Sequence, residues 1–170
     1  MIKACPDILT YNKCPEVYDN LEFHNWDFNE ITSIVSLNGK TVLDGGSGTG
    51  RVALQAAYYA RYVFGMEPVA RLRQFIKDKA RKAKIRNIYV IDGFLHSIPF
   101  PDNYIDVLIT SHALGWQLKD ELQEFERVVK NGGYIVHYPG TSCTSPKEEP
   151  THKEILKNGY DSDKYKETDG

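Results

Sequence analysis

No stretch of about eighteen consecutive apolar residues occurs anywhere in the 170-residue chain, so the sequence offers no candidate for a membrane-spanning helix. The opening MIKACPDILTYNKCPEVYDN holds no apolar core of signal-peptide length, and a cytoplasmic protein is expected rather than a secreted one. Cysteine is scarce and scattered: Cys5, Cys14 and Cys143 include no CxxC pair and no metal-ligand spacing. They read as reduced thiols, and a bond between Cys5 and Cys14 is disfavoured in a reducing compartment. An excess of one charge is also missing. With 21 Lys and Arg against 23 Asp and Glu, the formal charge of −2 gives no bulk attraction to nucleic acid or an anionic membrane. There are no internal repeats and no low-complexity segment.

What is present is ordinary for one globular domain, at 41% hydrophobic and 26% charged. After a polar lead over residues 1–20, Leu21 to Leu37 places Phe23, Trp26, Phe28, Ile31, Ile34 and Val35 at helical spacing. Asn38-Gly39 should stop that helix. Lys40 to Asp44 reads as a strand, Gly50 to Ala60 as a helix, Tyr62 to Met66 as a strand and Val69 to Ala83 as a longer helix. Asn87 to Ile91 and Ile105 to Thr110 follow as strands, then a helix over Leu118 to Val129 that Asn131-Gly132-Gly133 should close, then a strand over Tyr134 to Tyr138. Strands apolar on both faces and alternating with helices predict a doubly wound, mostly parallel α/β sheet over residues 21–140. Residues 141–170 form a polar tail, with one helix near Lys153 to Lys157.

The central motif is Val42-Leu43-Asp44-Gly45-Gly46-Ser47-Gly48-Thr49-Gly50, which leaves a strand and enters a helix. Glycines allow a sharp turn and a close backbone approach to a ligand, and a nucleotide-like ligand suits the crevice at such strand ends. Three further strand ends carry polar groups. Glu67 could accept both hydroxyls of a ribose, Asp92-Gly93 could supply an acceptor for an adenine amino group, and Ser111-His112 faces the same crevice. Each residue alone could be a turn or capping residue. Their placement at four successive strand ends is harder to obtain by accident.

The order VLDGGSGTG, VFGMEP, VIDGFLHSIPFPDNYIDVLITSHAL and FERVVKNGGYIVHYP, over Lys40 to Pro139, resembles the successive motifs of class I S-adenosylmethionine-dependent methyltransferases, in particular the small-molecule subgroup. The resemblance implies S-adenosylmethionine as cofactor and a small-molecule methyl acceptor. It places Asp44, Gly45, Gly46, Ser47, Gly48, Thr49 and Gly50 at the methionine end. Glu67 and Pro68 would then sit at the ribose, and Asp92, Gly93 and Phe94 at the adenine, with Ser111 also in the site. N-terminal segments of this family often close over the cofactor, which makes Tyr18 and His24 the lid candidates, while Phe23 and Trp26 read as helix packing. His112 is the candidate general base, ahead of His96 and His137, the alternative being a catalytically idle histidine bonded to a neighbouring backbone group. The family has two further C-terminal strands as an antiparallel pair. No such strands can be read here, so the C-terminal part is expected to be lacking and Tyr134 to Tyr138 to be an edge that a second copy or a further segment covers.

Two other functions fit some of these residues. Gly48-Thr49-Gly50-Arg51-Val52-Ala53 matches a GxGxxA dinucleotide fingerprint, as in a nicotinamide-dependent oxidoreductase, but Asp44 beside the turn would repel a pyrophosphate. A non-catalytic cofactor-binding regulatory partner is the other alternative. Arg71, Arg73, Lys77, Lys79, Arg81, Lys82, Lys84 and Arg86 form a basic run with few aromatics, which reads as a solvated helix face rather than a nucleic-acid surface.

Overall fold

The computed structural model describes residues 13–20, 27–138 and 150–161. Most of the polar lead, the lid candidate His24, Phe23, Trp26, and residues 139–149 and 162–170 lie outside the described residues. The elements in chain order are α1 (Pro15–Asp19), α2 (Asn29–Ile34), β1 (Thr41–Gly45), α3 (Arg51–Ala56), β2 (Tyr62–Met66), α4 (Ala70–Lys82), β3 (Ile88–Ile91), β4 (Ile105–Ser111), α5 (Leu118–Val128), β5 (Val129–Tyr138) and α6 (Pro150–Lys157).

The five strands form one sheet in the order β3-β2-β1-β4-β5, and every pairing is parallel. Side chains alternate across it, so Val42, Val63, Val107, Ile109 and Val136 pack on one face with Phe28, Ile31, Val52, Ala53 and Ala56. Leu43, Met66 and Leu108 face the other way, against Leu122, Phe125 and Val128 of α5 and Leu95 and Ile98 of the β3–β4 connection. Burial on both faces explains why these strands read as continuous apolar runs. From β1 the chain proceeds outward to β2 and β3, then returns to lay β4 on the other side of β1. The strand order therefore reverses at β1 and β4, and the crevice beyond their carboxyl ends is where such sheets bind ligands.

The helix expected up to Ala60 ends at Ala56, the last helix begins at Pro150 rather than near Lys153, and two further boundaries differ. The helix expected up to Leu37 ends at Ile34, because Val35 turns extended (φ −142°, ψ 133°) and Val35 and Leu37 enter the core. Gly39, at φ +71°, then turns the chain into β1. The glycines expected to close α5 do not do so. Val129 is already extended at the helix end and pairs with Ile105, while Tyr134 pairs with Val107. Residues 130–133 thus stand opposite Asp106 alone and form a bulge, with Gly132 at φ +77°. A Cβ on Gly133 would lie 2.8 Å from the Asp106 carbonyl oxygen, so glycine is needed there for strand contact rather than for a helix cap.

Candidate functional site

A small crevice opens over the ends of β1 and β4, lined by Tyr18, Asp44, Gly46, Ser47, Gly48, Thr49, Arg51, Val52, Ser111 and His112. The glycines of its turn have separate jobs. Gly46, Gly48 and Gly50 all have positive φ, at +75°, +53° and +81°, a region costly for a residue with a Cβ. A Cβ on Gly46 would meet the Ala113 side chain at 2.3 Å, and one on Gly50 would meet Ile76 at 2.8 Å. Those two let the segment after β4 and helix α4 pack close. A Cβ on Gly48 would have only the ring of Tyr18 near it, at 3.5 Å, so this glycine faces the crevice.

Asp44 lies beneath the turn and is buried. One of its carboxylate oxygens accepts the Ala53 N–H at 3.0 Å, and its carbonyl oxygen accepts the Ser47 hydroxyl at 2.8 Å. Burial pushes its carboxyl up to about 7, with the Glu67 charge adding to the rise and the bonds to Ser47 and Ala53 opposing it. This side chain is therefore part of the turn's frame as well as its charge, and a cation in the crevice would favour its ionised form.

Glu67, buried at the end of β2, accepts the Gly48 N–H on one oxygen and the Val69 N–H on the other, both at 2.9 Å. Burial raises its pKa, against those two bonds and the charge of Arg73. The carboxylate is thus held rigidly beside Gly48, which lines the crevice. Pro68 is exposed, and its carbonyl oxygen and that of Glu67 both accept Arg73 Nη1 at 2.8 Å. The same guanidinium reaches Asp92 at 3.1 Å. Gly93 packs tightly, since a Cβ there would meet Met66 Sδ at 2.6 Å, and Phe94 is half exposed and stacked on His96 at 5.4 Å.

On the β4 side, Ser111 Oγ lies 2.8 Å from His112 Nδ1. His112 has φ +58°, a strained setting for a non-glycine residue, and its N–H donates to the Tyr138 carbonyl oxygen at 3.3 Å. Partial burial of the ring holds its pKa below the ordinary histidine value, so the imidazole is neutral at pH 7. His96 and His137 lie outside the crevice lining. His96 is near Gln117 at 3.4 Å, and His137 Nδ1 is 2.9 Å from Thr110 Oγ1. The crevice thus brings together Tyr18, Asp44, most of the turn, Ser111 and His112. Glu67 joins it through Gly48, and Asp92 joins through Arg73.

Reading the sequence missed Arg73, Lys79 and Arg51. Arg73 and Lys79 lay hidden in the basic run of α4, but both are turned inward beside the Leu72, Ile76 and Ala80 stripe. Lys79 Nζ bonds both Asp19 carboxylate oxygens at 2.9 Å. The other six cations of the run are exposed, in keeping with a solvated face.

A family model described as a methyltransferase domain matches residues 43–137, from within β1 to the end of β5. The chain belongs to this methyltransferase family. An uncharacterized methyltransferase of Schizosaccharomyces pombe is 32% identical over 145 residues, covering 75% of this chain and 52% of the relative. One from Bacillus velezensis is 27% identical over 142 residues, covering 81% and 64%. The crystal structure of the YcgJ protein of Bacillus subtilis superposes with a TM-score of 0.62 at 21% identity, over 76% of this chain and 55% of that one. The chain spans between 50% and 64% of the length of the first three curated relatives. The family match favours neither the oxidoreductase nor the regulatory alternative.

The cofactor of such a methyltransferase domain is S-adenosylmethionine. The residues present fit it. Gly48 lines the crevice with only the Tyr18 ring over it, Asp44 adds an acidic group to the same lining, and Glu67 holds a buried carboxylate next to Gly48. Among the described residues no helix is long and apolar enough to cross a membrane, and no group of acidic, histidine or cysteine side chains could hold a metal ion.

Proposed function

We propose that this protein moves a methyl group from S-adenosylmethionine to a small-molecule acceptor. The observation that carries the reading is the Glu67 carboxylate, buried at the end of β2 and bonded to the N–H of Gly48, which lines the crevice. In this reading the turn Asp44 to Gly50 receives the amino-acid end of the cofactor, Glu67 and Pro68 lie at the ribose, and Asp92, Gly93 and Phe94 line the adenine side. Tyr18 closes over Gly48, and His24 is proposed as a second lid residue.

The bound cofactor supplies an already activated methyl group. What this chain adds is placement and dryness. Asp44 and Glu67, both buried, would hold the cofactor's polar ends at fixed points, and Tyr18, in the crevice lining, would help to keep water from the turn. His112, neutral at pH 7 and oriented by Ser111, is positioned to take a proton from an acceptor that must lose one. We also place the protein in the cytoplasm, where the exposed free thiol of Cys14 would stay reduced.

The test is methyl transfer from radiolabelled S-adenosylmethionine to a panel of small acceptors, beside calorimetric titration with S-adenosylhomocysteine. Glu67→Ala should weaken binding by about 1.5–3 kcal/mol, the range for a charge-assisted hydrogen bond. Unchanged affinity in both Glu67→Ala and Asp44→Ala would overturn the assignment.

A further inference from the structure

Lys79 stands where three elements meet. Its ammonium bonds both oxygens of Asp19 at the end of α1, at 2.9 Å each, and also donates to the Thr49 carbonyl oxygen in the glycine turn at 3.3 Å. The two charged side chains are about three-quarters buried, with 27% and 21% of their surfaces exposed. That setting shields the pair from salt better than an open surface would. Burial alone would raise the Asp19 carboxyl, yet its bonds and the nearby cations hold it below the usual range, as expected of an ion pair that is formed. The residue before Asp19 is Tyr18, whose Cε1 stands 3.5 Å from where a Cβ on Gly48 would be.

The consequence is geometric. Helix α1 is a short helix of five residues, too short to hold its place by its own hydrogen bonds. Among its described side chains only Pro15 is buried, so apolar packing alone fixes it poorly. The bidentate bond from Lys79 pins its last residue to α4, and the bond to Thr49 ties the same ammonium to the turn. Tyr18 is therefore held in register with Gly48 by a cation that itself lies outside the crevice lining.

We propose that Lys79 and Asp19 form a latch that positions Tyr18 over the cofactor turn, so that cofactor retention depends on an ion pair that does not touch the cofactor. This deepens the cofactor reading above and rests on it. Lys79 is a positioning residue, and Tyr18 is the group through which it acts. Breaking the latch should free α1 to move away, which lets the cofactor leave faster while its arrival rate stays nearly the same.

The test compares the affinity and dissociation rate of S-adenosylhomocysteine in the parent chain, Lys79→Met, Asp19→Asn, Lys79→Arg, Tyr18→Ala and the double variant Tyr18→Ala/Lys79→Met. Lys79→Met and Asp19→Asn should each weaken binding roughly three- to tenfold through faster dissociation, and Lys79→Arg should recover most of the loss. The double variant should bind no worse than Tyr18→Ala alone, because removing Tyr18 leaves the latch nothing to position. Additive losses in the double variant, or parent-like affinity in both single latch variants, would overturn the proposal. Should Lys79→Met fail to fold, the reciprocal exchange Asp19→Lys/Lys79→Asp decides: recovery relative to Asp19→Lys alone supports the latch, and no recovery sinks it. If the parent chain itself does not bind S-adenosylhomocysteine, the cofactor reading is the one that fails, and the latch falls with it.

Discussion

Asp44 and His112 line the same crevice, and burial moves their pKa values in opposite directions. Asp44 is pushed up to about 7 in the fold, above its unfolded value. It therefore favours the folded state fully below about pH 4, and that contribution is lost as the pH rises through about 7. Asn at this position keeps an acceptor for the Ala53 N–H without the charge. Asp44→Asn should thus melt at least about 3 °C above the parent at pH 8, with the difference vanishing near pH 4, in thermal denaturation followed across pH. An advantage that is the same at every pH would show that Asp44 carries no buried charge. For His112 the sign is the reverse. Its pKa is lowered, so it is a neutral base at pH 7, and a role in proton removal predicts a rate that falls only below about pH 6.5. His112→Ala should then cost about a hundredfold in turnover and abolish that acid limb, with cofactor affinity nearly unchanged.

At the scale of an element, glycines that look alike in the sequence carry different penalties. Gly132 and Gly133 both lie in the β5 bulge, but a Cβ on Gly132 would meet nothing within 4 Å, whereas one on Gly133 would press on Asp106, Lys130 and Val129. Gly132→Ala should cost about 1 kcal/mol for its positive φ, and Gly133→Ala about 2–3 kcal/mol for overlap, as urea denaturation would measure. The reverse order would mean that the bulge relaxes easily. The glycine turn offers the parallel contrast. Gly50→Ala drives a methyl into Ile76 and should destabilise the fold, while Gly48→Ala should chiefly weaken cofactor binding. The β3–β4 connection is held in a similarly specific way. Arg127 Nη1 donates to the Phe100 carbonyl oxygen and Nη2 to that of Ile98, and Glu124 accepts the Ile98 N–H.

Over the whole molecule, β5 pairs only with β4 among the described residues, and Tyr134 on it is 48% exposed. Such an edge presents unpaired backbone groups to any strand that meets it. Light scattering of this 170-residue chain should show concentration-dependent association, and Tyr134→Lys should reduce it. A monomer at all concentrations would count against an open edge at β5. The alternation of strands and helices was legible because parallel strands buried on both faces must be apolar throughout, so Val42-Leu43 and Ile105 to Ile109 announce themselves. The end of α5 was not legible in this way. A glycine pair after a helix serves equally as a cap or as a bulge, and only the pairing of Val129 with Ile105 distinguishes them.

From the sequence alone came the α/β fold, the methyltransferase resemblance and the strand-end residues Asp44, Glu67, Asp92 and Ser111-His112, because chain order determines what stands at the end of each strand. The tertiary structure decided what each of those residues touches. It showed that of the two turn glycines lining the crevice, Gly46 is packed against Ala113 while Gly48 has only the Tyr18 ring near it, and that Arg73 and Lys79 belong to the site's frame rather than to a solvated face. The physical reason is that charge and spacing along a helix say which residues share a side. Whether that side meets water or a carboxylate 60 positions away, as Lys79 meets Asp19, is decided only when the elements pack.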